Sequence, residues 1–453
     1  MLIFISYQLQ AIFNTLYAYF LHIKARVYSK HDQHEQAIKY IYSALAIKPN
    51  KTVLAVNLIS ELNIVNRPKE AISFAEQWLA QGYTSSAYFW NHKGIAHSKL
   101  GQHEQDVNCH RAALDLEPND EIFAGNLIQA LYDADRAKEA ISFAEEWLAE
   151  GNKAGAHFWN SKGIAYYGLW QHKLQSAICF HKALSVEPDD SNAAGNLIGE
   201  LYPDEAISFA EEWLLNPRHT PNADFLNTKG IAHHRLKQYH QSVECFSAAL
   251  ALESRNEVYA SNLILALGES NLFQEAISFA ETWLTQGNTP TAYFWSEKGL
   301  AHSSLKQHEK GIECLHIALS LEPNNARYVA DLIQVLHKAS LAQEAISFAE
   351  TWLAQGNTPN SDVWNEKAIA HEQLAQYDQT IACFYQALAL EPNNADFADE
   401  LMRVFNQTKR SQEAFNFADE WLAQGHTPNA YFNEQLAKAQ EQLGGKPTVV
   451  SCF

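Results

Sequence analysis

Histidine and acidic side chains recur along this 453-residue sequence in a pattern that limits the chemistry they can do. His-Glu-Gln occurs at His34 and His103, and His-Glu-Lys occurs at His308, so these candidate bases are separated by long, regular intervals. The sequence contains no His-Glu-x-x-His metal motif, no glycine-rich phosphate loop and no Gly-x-Ser-x-Gly elbow. We therefore expect no catalytic residues, no metal site and no cofactor, and we interpret the chain as a non-enzyme.

The cysteines follow a similarly regular interval. Five of the six recur at long and nearly equal steps along the chain, at Cys109, Cys179, Cys245, Cys314 and Cys383. Such spacing places one thiol in each layer of a repetitive structure, whereas a disulfide or a metal site needs thiols that converge. We predict small buried apolar side chains in a reducing compartment.

Composition and charge restrict the partners. Hydrophobic residues make up 47% of the chain, which is enough to bury a core, and 52 acidic against 33 basic residues give a net charge of -19. A chain of this charge repels phosphate backbones and lacks the electrostatic attraction that drives nucleic-acid binding. We expect no nucleic-acid partner.

The elements that carry these residues repeat. The segment EAISFA begins at Glu70, Glu139, Glu205, Glu275 and Glu344, and a degenerate copy begins at Glu413. A second segment, from Trp90 to Asn119, returns from Trp159, Leu226, Trp295 and Trp364. Each period, of about 69 residues, therefore contains two units of about 34 residues each. In the unit from Ala87, apolar residues recur twice at helical spacing, are interrupted near Gly101 and stop at Pro118, which predicts a helical hairpin.

Trp90, Gly94, Ala112, Ala113 and Pro118 stand where the tetratricopeptide repeat has its Trp, Gly, Ala and Pro, so the unit resembles that family. The resemblance implies an all-α fold, an α-solenoid forming a right-handed superhelix. Residues 18–429 would form twelve repeats in six alternating pairs, residues 430–443 a capping helix and residues 444–453 a tail. The predicted units start near Ala18, Thr52, Ala87, Glu121, Ala156, Ser191, Ala223, Glu257, Ala292, Ala326, Ser361 and Ala395. One departure is Lys where the family usually has Leu, at Lys93, Lys162, Lys229, Lys298 and Lys367.

Residues 1–21 carry no charged side chain, which raises the possibility of a membrane anchor. Shifting the sequence by one full period aligns Ala18-Tyr19-Phe20 with Ala87-Tyr88-Phe89, so we interpret residues 1–17 as a degenerate helix of a preceding half-repeat. We accordingly expect a cytoplasmic protein for which a membrane is an unlikely partner. Membrane anchoring or export through the apolar N-terminus, and truncation upstream, stay open as alternatives.

Other columns of the repeat have predicted structural roles. We expect the tryptophans to form a packing ladder between repeats, and the glycines at Gly82, Gly151, Gly287, Gly356 and Gly425 to end helices in the left-handed conformation. Thr-Pro pairs begin at Thr220, Thr289, Thr358 and Thr427, where Thr would cap the next helix. His97, His233, His302 and His371 would be buried neutral imidazoles.

Asparagines crowd the first helix of the predicted hairpins, the helix that lines the concave surface in this family. They are Asn57, Asn91, Asn126, Asn160, Asn196, Asn227 and Asn262. An amide can donate and accept hydrogen bonds, so a row of amides can hold the backbone of an extended peptide. The row resembles the asparagine ladder in the tetratricopeptide superhelix of O-linked N-acetylglucosamine transferases. Alternatively, these amides tie neighbouring helices together.

We therefore predict a protein-interaction scaffold or adaptor that binds a peptide or helical segment of a protein partner of unknown identity. Two alternatives remain. The chain could be the substrate-selecting arm of a glycosyltransferase-like enzyme whose catalytic domain is absent from this chain, or a membrane-tethered assembly factor. The sequence does not predict the oligomeric state.

Overall fold

The computed structural model describes residues 2–169 and 172–444, and every regular element within these ranges is a helix. The chain divides into two compact units, residues 1–232 and residues 233–453. Of the tail predicted at residues 444–453, only Gly444 is described, and the rest of that tail lies outside the described residues.

The first unit contains twelve helices and most of a thirteenth. They are α1 (Leu2–Lys30), α2 (His34–Ile47), α3 (Thr52–Ile64), α4 (Pro68–Ala80), α5 (Ala87–Ser98), α6 (His103–Leu116), α7 (Glu121–Asp133), α8 (Ala137–Ala149), α9 (Ala156–Tyr167), α10 (Lys173–Val186), α11 (Ser191–Glu200), α12 (Pro203–Leu214) and α13 (Ala223–Arg235).

The second unit contains the remaining helices in the described part of the chain. They are α14 (Tyr239–Leu252), α15 (Glu257–Glu269), α16 (Phe273–Thr285), α17 (Ala292–Ser304), α18 (His308–Leu321), α19 (Ala326–Lys338), α20 (Ala342–Ala354), α21 (Ser361–Gln373), α22 (Tyr377–Leu390), α23 (Ala395–Gln407), α24 (Ser411–Ala423) and α25 (Ala430–Gln442).

In chain order α1 to α24 form twelve pairs, each with a first helix of odd number and a second helix of even number, and α25 follows them. Within each unit, a second helix packs against its own first helix and against the first helix of the next pair. First helices also contact the neighbouring first helices, whereas second helices of the described residues do not approach one another to that extent. The first helices thus form the inner row of each unit, and the predicted all-α solenoid is confirmed.

Two kinds of hairpin alternate, and each packs closely in a different direction. In the first kind, which includes α9 with α10, a Cβ added to Gly163 would lie 2.5 Å from the Phe180 ring of the second helix. In the second kind, which includes α11, a Cβ added to Gly195 would lie 3.2 Å from Cα of Phe225 in the next first helix. The first kind is therefore tight within its hairpin, and the second kind is tight toward the next hairpin.

The tryptophans of the second helices pack between hairpins as predicted. Six are buried, namely Trp78, Trp147, Trp213, Trp283, Trp352 and Trp421. The Trp147 indole N–H donates to the carbonyl of Pro118 at 2.8 Å, and its counterparts other than Trp78 make the equivalent bond. Ser254, which replaces the usual proline, accepts the bond of Trp283 at 2.9 Å through its backbone, so the departure costs no acceptor. The indole nitrogen of Trp78 is buried without a hydrogen-bond partner.

The unexpected lysines lie over a second set of tryptophans. The ammonium groups of Lys93, Lys162, Lys298 and Lys367 are 5.3 to 5.8 Å from the ring centroids of Trp90, Trp159, Trp295 and Trp364 respectively. A lysine stem covers apolar surface while its cation contacts the face of an indole ring. Lysine can therefore occupy a position that the family usually fills with leucine.

The turns within the first kind of hairpin are fixed by a His-Gln pair. His302 is buried, and its Nδ1 lies 2.8 Å from Oε1 of Gln307, while its carbonyl accepts the backbone N–H of the same glutamine at 2.9 Å. Equivalent side-chain pairs join His97 to Gln102, His233 to Gln238 and His371 to Gln376. Burial lowers the pKa of His302 and of His371. The predicted buried imidazoles are therefore confirmed.

The structure at the helix ends corrects the prediction that threonine of each Thr-Pro pair caps the next helix. The five predicted glycines do have positive φ, between 73° and 88°. The threonines of the Thr-Pro pairs, however, do not cap the next helix. Thr291, the residue after the proline, caps α17 by accepting the N–H of Phe294 at 3.2 Å, and Asn222, Asn360 and Asn429 do the same in their hairpins. A cap must immediately precede the first helical turn, and a threonine before the proline lies too early.

Helix α1 differs from the prediction for residues 1–17. It runs from Leu2 to Lys30 without a turn, so the boundary expected between residues 17 and 18 does not exist as a break in the structure. No glycine or proline occurs among residues 1–30 to end a helix there. None of the helices in the described ranges combines the length and the apolar character needed to cross a bilayer.

Candidate partner-binding surface

The predicted asparagines lie in first helices and bond to one another across neighbouring hairpins. Asn126 of α7 donates to Oδ1 of Asn91 in α5 at 2.7 Å, and Asn196 of α11 donates to Oδ1 of Asn160 in α9 at 2.9 Å. In each pair the residue from the first kind of hairpin precedes its partner by 35 or 36 positions. These bonds join first helices at the junctions where the backbones approach each other less closely.

Histidines complete the row. His22 of α1 occupies in its hairpin the place that Asn91 occupies in α5, and its Nε2 lies 2.8 Å from Nδ2 of Asn57. Nε2 of His157 in α9 lies 2.8 Å from Oδ1 of Asn126, so three polar side chains connect α5, α7 and α9. Neither histidine belongs to the predicted row of asparagines, although His22 lies one full period before Asn91 and that spacing identifies it.

The remaining members of the predicted set are Asn227 and Asn262. Asn227 is buried in α13, Asn262 is partly exposed in α15, and each takes part in an interaction of its own. The structure brings five of the seven predicted residues into bonds between helices, namely Asn57, Asn91, Asn126, Asn160 and Asn196. Peptide binding by these residues stays a prediction.

The same column changes from amides to carboxylates in the second unit. Asp331 and Glu400 lie one and two full periods after Asn262 and occupy its place in later hairpins. Ser296 Oγ donates to Asp331 at 2.6 Å, which reproduces the amide pair with a hydroxyl and a carboxylate. The predicted row contains only asparagines and ends at Asn262, because residue type defines it. The period itself would have identified the acidic members.

Two arginines pair with carboxylates on these helices. Arg403 contacts Glu372 at 2.6 Å and Glu400 at 2.7 Å, and Arg327 contacts Glu297 at 2.6 Å. A groove of about 550 Å³ lies beside the first cluster, lined by Asn365, Ile369, Glu372, Phe384, Asp396, Phe397, Glu400 and Arg403. It therefore combines apolar walls with an excess of carboxylates.

Burial perturbs several of the acidic groups. It raises the pKa of the Glu297 carboxyl to about 7, against the opposing effect of Arg327, and that of Asp399 to about 6. Burial also raises the pKa of Asp331 and of Asp362. Removal of these carboxylates from water, together with nearby like charge, makes their ionised forms costly. A cation placed on this surface would lower that cost.

Four of the five regularly spaced cysteines are buried, as predicted, whereas Cys245 is partly exposed. The buried members, Cys109, Cys179, Cys314 and Cys383, form no disulfide. Burial raises the pKa of Cys109 and of Cys383 to about 11, so these thiols are protonated at neutral pH. In the described ranges, no three His, Cys, Asp or Glu side chains gather as a metal site would require.

Comparison with known proteins agrees with this repeat structure. The sequence profile of the tetratricopeptide repeat matches residues 18–51, 223–256, 292–325 and 361–394, each of which is one hairpin of the first kind. No curated protein sequence matches this chain.

Solved structures are similar at low identity. The Cut9-Hcn1 hetero-tetramer of APC/C is 14% identical over 93% of this chain and 96% of that chain, with a TM-score of 0.41. Yeast Tom70 is 14% identical over 95% of this chain and 96% of that chain, with a TM-score of 0.47. A tetratricopeptide repeat protein from Parabacteroides merdae is 15% identical over 56% of this chain and 99% of that chain, with a TM-score of 0.47.

Proposed function

Because this chain is a tetratricopeptide repeat protein, we propose that it is a scaffold or adaptor that binds a segment of a partner protein along its first helices. Repeat solenoids expose one continuous row of helices, and such a row suits an extended or helical ligand. The observation that supports this function best is the column of polar side chains in register on successive first helices.

In the first unit the amides would hold the ligand backbone. A side-chain amide has two N–H donors and two acceptor lone pairs on its oxygen. The bonds of Asn126 to Asn91 and to His157 use one N–H and one lone pair. Asn126 is also partly exposed, so a passing peptide backbone could engage the remaining capacity without disturbing the bonds between helices.

In the second unit, carboxylates on the first helices would select a basic segment. Asp331, Asp362 and Asp399 have raised pKa values because of burial, and a partner Lys or Arg would stabilise their ionised forms. Binding there would weaken as salt is added, since screening reduces the attraction between partly exposed charges. The acidic balance of the whole chain favours the same class of partner.

Affinity capture with a matched pair of variants tests the amide row. The test variant carries Asn57→Ala, Asn126→Ala, Asn160→Ala and Asn196→Ala on first helices. The control carries Asn108→Ala and Asn416→Ala, which change exposed asparagines on the second helices α6 and α24. We expect partners captured by the wild type to be retained by the control and lost from the test variant.

Capture by the test variant would be lost through unfolding as well as through removal of the binding side chains, so the two causes must be distinguished. Circular dichroism and thermal unfolding of all three proteins identify the temperature range in which each is folded, and capture is compared within that range. Equal capture by the folded test variant and the wild type would contradict a role for the amides in binding.

A further inference from the structure

Helix α1 has two apolar faces, and only one of them is covered. Leu21 and Ala25 are buried against the hairpin, as in other first helices. A second stripe is formed by Ile12, Leu16, Tyr19, Phe20, Ile23 and Val27, each between 43% and 63% exposed. At about 100° per residue these six fall within an arc of roughly 100°, on the side of the helix opposite Leu21 and Ala25. A helix that is apolar all round is normally buried all round.

The first half of α1 also extends beyond its hairpin. At about 1.5 Å per residue, the 29 residues of α1 span roughly 43 Å, whereas the 14 residues of α2 span roughly 21 Å. Residue 10 and residues 12–17 are exposed, and the first buried side chain in the described part of α1 is Ala18. An uncovered helix of this length is marginally stable in water, so the projecting half needs a packing partner.

We propose that the partner is α1 of a second copy of this chain, and that two chains associate through antiparallel α1 helices. A fully exposed large side chain presents about 150 to 200 Å², so the exposed fractions of the stripe, widened by Phe13 and Tyr17, amount to roughly 650 to 870 Å² per chain. Stable interfaces bury about 800 Å² on each partner. The stripe is therefore large enough for a dimer, and a two-fold axis lets one stripe cover the other.

Charge favours both the location and the orientation of this contact. The chain carries a net charge of -19, but residues 1–21 carry no charged side chain, so repulsion between copies is weakest here. The charges of α1 lie in its second half, at Lys24, Arg26 and Lys30. A parallel pair would place these cations side by side, whereas an antiparallel pair places them at opposite ends. The same net charge opposes adsorption to an anionic bilayer.

Sedimentation of the full chain tests the proposal. At micromolar concentration we expect the wild type to sediment with twice the 51.1 kDa mass of one chain. Leu16→Glu together with Ile23→Glu should give a single-chain mass, because these substitutions bury charge in the contact and leave the covered face unchanged. The control is Leu174→Glu, which adds the same charge at a leucine of α10 that is 69% exposed, and it should sediment as the wild type. Circular dichroism of both variants should match the wild type.

Cross-linking tests the orientation. With an antiparallel contact centred near Tyr19, the middle of the stripe, Tyr19→Cys should form a disulfide between two copies under mild oxidation. Val27→Cys should not, because its two copies would lie roughly 24 Å apart at about 1.5 Å per residue. Cross-linking at both positions would indicate a parallel pair and overturn the antiparallel arrangement.

Two results would overturn self-association itself. One is a wild type of single-chain mass that floats with vesicles of phosphatidylcholine and phosphatidylserine, with flotation lost in the double glutamate variant, which would assign the stripe to a lipid surface. The other is a wild type of single-chain mass that binds no vesicles.

Discussion

Replacing Asn126 by alanine distinguishes an amide that holds helices together from one that merely faces solvent. The side chain bonds to Asn91 at 2.7 Å and to His157 at 2.8 Å, and the bond to His157 contributes about 1 kcal/mol net. Asn91 is only 6% exposed, and leaving its oxygen without a partner costs about 1 to 3 kcal/mol. Alanine regains about 0.5 kcal/mol through its higher helix propensity. We expect a net local destabilisation of about 2 to 3 kcal/mol.

Hydrogen exchange on the full chain is the suitable assay, because a chain of two compact units does not unfold in a single step. A loss of about 2 to 3 kcal/mol corresponds to exchange that is about 30 to 150 times faster. This increase applies to the backbone amides of α5, α7 and α9 that exchange through local opening of these helices. Asn108→Ala, on the exposed side of α6, should change these rates less than about threefold. Wild-type exchange in Asn126→Ala would refute the inference that the amides hold neighbouring first helices together.

Three further outcomes follow from the packing and the charges. Trp147→Phe should destabilise the chain by about 1 kcal/mol more than Trp78→Phe in thermal unfolding, because only the Trp147 N–H has an acceptor. Gly163→Ala should destabilise by about 1 to 3 kcal/mol through overpacking, whereas Gly268→Ala, whose added Cβ meets nothing within 4 Å, should stabilise slightly. The raised pKa of Glu297 means that the folded chain holds a proton that the unfolded chain releases near pH 4.5. Its contribution to stability is complete below that pH and is lost as pH rises toward 7. Urea unfolding should therefore show the wild type losing up to about 1.4 kcal/mol per pH unit relative to Glu297→Gln between about pH 5 and 7.

The hairpin boundaries could be predicted because residues that end helices recur at similar places in successive units. Eleven of the twelve predicted unit starts, from Thr52 to Ala395, are the first residue of a helix, and so is Ala430. The exception is Ala18, where nothing in the sequence ends the preceding helix. Burial of the tryptophans was predictable for the same reason, since a large side chain repeated in register must pack between layers.

The polar row could be predicted only in part. Columns of asparagine were visible, but their pairing depends on how far apart neighbouring first helices lie, and the pairs form where the backbones approach less closely. His157 could not have been found from the asparagine column, because it belongs to a different position of the repeat and reaches Asn126 only through the packing of α7 on α9. Asp331 and Glu400 share the position of the predicted asparagines but not their residue type, so a row defined by residue type excludes them.

The alternation of two hairpin kinds has a consequence for how such a chain can change in length. A hairpin of the first kind presents a face shaped for one neighbour, and a hairpin of the second kind presents the complementary face. Loss or duplication of one hairpin would bring like faces together, so the close approach of neighbouring first helices would be lost at that junction. Loss or duplication of two consecutive hairpins restores every junction. The unit that can be lost or duplicated without disturbing the packing is therefore the four-helix period. Loss or duplication of a single hairpin would be selected against even when the reading frame is kept.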